Sequence, residues 1–63
     1  MTNEELIEEI YWTAHQYGVI DTFRDEVYNR LKTTTNRDNI VVVEEVYYEY
    51  IQNGLIGVSG NVY

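Results

Sequence analysis

The chain has no cysteine and only one histidine, one serine, one lysine and one phenylalanine among its 63 residues. Without cysteine there is no disulfide framework and no thiolate metal site, which excludes the small secreted scaffolds that depend on them. A carboxylate-bridged bundle site needs Glu-x-x-His on facing helices, yet the residue three before His15 is Trp12. No segment alternates oxygen ligands around a glycine as a calcium loop does. Ser59 stands in a glycine-rich tail with nothing resembling a nucleophile elbow, and Lys32 falls on a polar helix face. A domain this small also leaves little room for a ligand-sized pocket. The expectation is a protein with no catalytic residues, no cofactor and no metal.

Long apolar runs are missing too. No stretch reaches the length that spans a bilayer, and Thr2-Asn3-Glu4-Glu5 lacks the basic and apolar parts of a signal peptide. The expected location is therefore the cytoplasm. Basic residues are scarce: four cations stand against eleven acids, for a net charge of −7 and a pI near 4.3. All four (Arg24, Arg30, Lys32 and Arg37) fall in the middle of the chain. Such a field repels nucleic-acid phosphates and anionic lipid and attracts a basic protein surface. The bland reading is that the acids solvate helix faces and keep a small protein soluble.

What is present is a folding sequence. Hydrophobic content of 44% is too high for disorder. Sixty-three residues make one domain, residues 1–63, near the lower limit for folding without staples. Thr2 followed by Glu5 has capping-box spacing, and Leu6, Ile7, Ile10, Ala14 and Tyr17 form one helical stripe before Gly18. This predicts a first helix over residues 3–17. Asp21 or Thr22 can cap a second, over 22–33, with Phe23, Val27 and Leu31 as its stripe and Tyr28 at its edge. It fades in the threonine run 33–35.

The segment from Ile40 to Ile51 decides the fold class. Its β-branched and aromatic residues suit a strand. Stepping about 100° per residue, however, gathers Val42, Val46, Tyr50, Val43, Tyr47, Ile40 and Ile51 on one half of a helical wheel. Glu44, Glu45, Glu49 and Gln52 fall on the other half. As a strand, both faces would carry glutamate. Helix costs each β-branched residue a few tenths of a kcal/mol, whereas burying one such side chain returns roughly 1.5–3 kcal/mol. A third helix over 38–53 is predicted, capped by Asn36, Asp38 or Asn39. Asn53-Gly54 stops it, and Leu55 is placed for the apolar contact of a Schellman end. The glycine-punctuated residues 55–63 read as an extended strap or short hairpin. The fold class is all-α: a small three-helix bundle with that C-terminal extension.

Ala14, Gly18, Val19 and Val27 resemble the spacing of a helix-turn-helix, and three helices before a hairpin resemble a winged helix. Arg24 stands where that motif has an apolar locking residue. Glu44, Glu45 and Glu49 would face phosphates if the third helix entered a groove. Nucleic-acid regulation is thus the alternative rather than the preferred reading. The composition resembles that of short phage or mobile-element open reading frames.

Seven tyrosines mostly suit the edges of a small core. Two aromatics leave their stripes: Trp12 projects among Glu5, Glu8 and Glu9, and Tyr48, one heptad after Val41, projects from the acidic half of the third helix. An aromatic ringed by acids has the make-up of a binding hot spot with a polar rim. The sequence therefore points to an acidic protein–protein interaction module, an adaptor or inhibitor of a basic partner. Trp12, Tyr48, Val41, Glu5, Glu8 and Glu45 are the expected contact residues. The broad apolar arc of the third helix leaves a self-associating structural subunit, such as a homodimer, as a further reading.

Overall fold

The computed structural model describes residues 2–33 and 37–57. Three helices of 14 residues each, α1 (Asn3–Gln16), α2 (Ile20–Thr33) and α3 (Asn39–Gln52), pack pairwise into a bundle. The decisive segment Ile40–Ile51 is helical throughout.

The start of α1 and the ends of α1 and α3 each follow from a few residues. At the start of α1 the Thr2 N–H donates to Glu5 Oε1 at 2.8 Å, and the Glu5 N–H donates to Thr2 Oγ1 at 3.2 Å. Two otherwise orphaned donors are satisfied, an arrangement whose cap residue stabilises a helix by about 0.5–2 kcal/mol. Helices α1 and α3 end alike. Gly18 (φ +74°) and Gly54 (φ +78°) take the left-handed conformation that side chains disfavour. Val19 N–H then reaches Ala14 O at 2.9 Å, and Leu55 N–H reaches Tyr50 O at 2.9 Å. These are the Schellman ends that the two glycines predict.

Helix α2 begins at Ile20, two residues ahead of the sequence expectation. The Schellman turn delivers Val19 directly to the next helix, where its carbonyl accepts the Phe23 N–H at 2.9 Å. Thr22 does not cap; its hydroxyl donates back to Val19 O at 3.1 Å. Starting early places Val19 and Ile20 against the core, which outweighs the cap Thr22 would have supplied.

The core consists of Ile10 and Ala14 from α1, Phe23 and Val27 from α2, Val42, Val43 and Val46 from α3, and Ile56. Phe23 sits at its centre, edge-on to Tyr11 (centroids 5.5 Å apart) and to Tyr50 (5.2 Å). Edge-to-face pairs add about 0.5–1.5 kcal/mol beyond area burial. Burial also pushes the Tyr11 hydroxyl pKa up, against an opposing pull from Arg24. The wheel assigned α3 correctly: Val42, Val43 and Val46 are buried, while Ile40, Tyr47, Tyr50 and Ile51 are half-buried.

The chain beyond α3 departs from expectation in one residue. Leu55 is 48% exposed, whereas Ile56 is 1% exposed and belongs to the core. The Tyr50 carbonyl takes N–H groups from both Leu55 and Ile56 (2.9 and 3.3 Å). That wraps the backbone over the helix end and aims the second side chain inward. Gly57 then lies against Tyr17; a Cβ there would stand 2.8 Å from the tyrosine hydroxyl oxygen. The rest of the expected strap or hairpin, residues 58–63, lies outside the described residues, as does the candidate cap Asn36.

Ile56 thus acts as a core residue supplied from outside the helices. Ile56→Ala is expected to lower unfolding free energy by about 2–5 kcal/mol, and Leu55→Ala by no more than about 0.5 kcal/mol. Urea titration followed by circular dichroism checks both; equal effects would contradict this packing.

Candidate functional site

The four cations are the key to the surface. Arg30, on α2, reaches three glutamates: Glu26 one turn back (3.1 Å), Glu45 (3.2 Å) and Glu49 (2.6 Å) across the seam on α3. The Glu49 contact is bidentate, with Nη1 and Nη2 each donating to one carboxylate oxygen. Arg37 also holds Glu45. Arg24 pairs with Asp21 at 3.6 Å on an exposed face. Lys32 lies over the Tyr28 ring, 5.4 Å from its centroid. Cations are therefore engaged along α2 and its seam with α3.

Four acids (Asp21, Glu26, Glu45 and Glu49) take part in these pairs. Among the described residues the other seven have no cation within bridging distance: Glu4, Glu5, Glu8, Glu9, Asp25, Asp38 and Glu44. Four of those seven are on α1, and Glu44 is on the flank of α3 that faces it. The charge of −7 is thus concentrated on one side of the bundle.

A groove of about 360 Å³ runs between α1 and α3 on that side. Its floor is Leu6 and Ile10 from α1 and Tyr47 and Ile51 from α3. Glu9 and Thr13 form one wall; Glu44 and Tyr48 form the other. In each wall the two residues stand one helical turn apart, on the border of the apolar stripe. The Thr13 hydroxyl donates to the Glu9 carbonyl at 2.9 Å, so it is already satisfied within α1.

The residues singled out from sequence divide into three groups. Tyr48, 66% exposed, stands on the groove wall, and Val41, 42% exposed, stands one heptad before it on the same α3 face. Trp12, 60% exposed, lies outside the groove, about 60° around α1 from Glu9. Its ring stacks on His15 with centroids 5.4 Å apart and planes 7° apart. Glu8 shares that outer face, and Glu5 does so while accepting the capping bond from Thr2. Glu45 is set apart: Arg30 and Arg37 compensate its charge. Glu9, Thr13 and Glu44 were missed as groove walls. The wheel shows them flanking apolar stripes but cannot show that those flanks face each other.

The arginines mark the carboxylates they hold. Hydrogen bonding from Arg37, reinforced by Arg30, keeps the Glu45 pKa below the usual carboxylate value, and hydrogen bonding from Arg30 does the same for Glu49. The Arg30 guanidinium, bonded foremost to Glu49, is pushed upward in turn. Among the described residues no group of three His, Asp or Glu side chains is placed to hold a metal ion. Nor is any described helix long and apolar enough to cross a membrane.

A carboxylate whose folded pKa is depressed stabilises the fold fully above its unfolded value, here 4.5, and loses that contribution as pH falls through the folded value. Glu49→Gln is therefore expected to unfold at lower urea than the parent at pH 7, with the gap closing as pH falls below 4.5. A gap that stays constant or widens in acid would show that Glu49 is not held as an anion by Arg30. Comparison with family models, with curated proteins and with solved structures finds no match for this chain.

Proposed function

We propose that this chain is an acidic protein–protein interaction module that binds a partner with a basic surface, as an adaptor or an inhibitor. One observation carries the reading. The cations are engaged along α2 and the α2–α3 seam, so uncompensated carboxylates on α1 and at Glu44 surround exposed Trp12 and Tyr48. Aromatic anchors within a polar rim are the usual make-up of a hot spot, and a single-sign field steers an oppositely charged partner toward it.

The nucleic-acid reading has less support. Arg30 and Arg37 are held by glutamates, and a phosphate would have to compete with Glu45 and Glu49 for them. Self-association has less support as well, because two copies would bring uncompensated acids together. Within the proposed contact set, Trp12, Tyr48, Val41 and Glu8 are free to engage a partner. Glu5 contributes field while it caps α1, and Glu45 positions Arg30 and Arg37.

Affinity capture from a lysate of the source cells tests the reading. The parent chain should capture basic proteins, less as salt rises. The Trp12→Ala/Tyr48→Ala variant should capture them at least about tenfold less while its circular dichroism is unchanged. Capture of the same proteins, in the same amounts, by both would overturn the proposal.

A further inference from the structure

We infer that the α1–α3 groove seats one basic amphipathic helix of the partner, with apolar side chains on the groove floor and lysine or arginine beside each wall. The inference rests on the basic-partner reading and adds the form of the ligand and the place where it sits.

Shape comes first. The lining residues run from Leu6 to Thr13 on α1 and from Glu44 to Ile51 on α3. Each run covers about two helical turns, or about 10 Å. A helix laid there would touch α1 and α3 together, as a fourth helix does in a bundle. An extended peptide is a poorer occupant. It needs a sheet edge to pair its backbone, and no strand occurs among the described residues. Its N–H and C=O groups would be set against the apolar floor of Leu6, Ile10 and Ile51 without partners. A helix arrives with those groups already satisfied.

Charge then selects among helices. Glu9 on one wall and Glu44 on the other have no cation within bridging distance among the described residues. An acidic or neutral helix would gain no ionic contact from them, whereas lysine or arginine flanking an apolar stripe would meet one carboxylate on each side. A second copy of this chain is a poor occupant, since its own arginines are engaged with its own acids. Tyr48 completes the fit. Its exposed ring on the α3 wall offers an apolar edge to the stripe and a π face to an arginine.

Two synthetic peptides of about fourteen residues (about four turns) test this. One carries leucines at i, i+3, i+4 and i+7 flanked by lysines. The other has the same composition in an order that abolishes the stripe. Amide shifts of the whole chain are followed during titration, for the parent and for two variants with the same change in net charge. Glu44→Lys alters the groove wall, and Asp25→Lys alters an uncompensated acid on α2.

The inference expects the striped peptide to bind and to move the amides of Leu6, Ile10, Thr13, Tyr47 and Ile51. It also expects Glu44→Lys to weaken binding about tenfold or more, and Asp25→Lys by no more than about twofold. Equal binding of both peptides, with shifts at Glu5, Glu8 and Trp12, would overturn the groove assignment and leave the basic-partner reading standing. Groove shifts that depend on protein concentration alone would overturn it in favour of a second copy. If neither peptide binds, the inference fails, and the capture experiment judges the broader reading separately.

Discussion

Among the described residues Arg30 is the one cation that bridges two helices, and the character of the surface depends on it. An acidic chain must bring its helices together against their mutual repulsion. Arg30 does so at one seam, holding Glu26 on its own helix and Glu45 and Glu49 on α3. Arg37 adds a second hold on Glu45. The α2–α3 seam is thereby close to neutral. Among the described residues no ion pair joins α1 to α3, so apolar burial closes that seam, and the groove rim keeps the charge of Glu9 and Glu44. One residue's reach produces a bundle with two unlike sides.

That apolar burial is concentrated around Phe23, the one phenylalanine, gripped edge-on by Tyr11 and Tyr50. The three helices alone do not complete the core. Ile56 does, brought back over the end of α3 by the left-handed turn at Gly54. A chain of this size without cysteine has no disulfide to add, and the segment after α3 contributes to the core directly.

Local patterns in the sequence were readable because local rules govern them. The Thr2–Glu5 box, the glycine ends of α1 and α3 and the helical state of Ile40–Ile51 each follow from residues within one or two turns of one another. The same wheel correctly set Val41 and Tyr48 outside the core. What escaped depends on the third dimension. The choice between Leu55 and Ile56 turns on which of two adjacent side chains a tight turn aims inward. The start of α2 turns on two apolar residues finding the core. Glu45 looked like a contact residue because the arginines that hold it, Arg37 and Arg30, lie 8 and 15 residues away in the chain. Glu9 and Glu44 gained meaning only once α1 and α3 were laid side by side. Trp12 and Tyr48 looked like one site and stand on separate faces of the same charged side.

The central claim is that the charge of −7 is polarised, strongly negative along α1 and its groove with α3 and weak along the α2–α3 seam. Relaxation of each backbone amide by a cationic and by an anionic nitroxide probe measures the local potential directly. Amides around Glu8, Glu9, Trp12 and Glu44 should favour the cationic probe much more strongly than those around Arg30 and Glu49. A preference of similar size at all of these positions would contradict the claim.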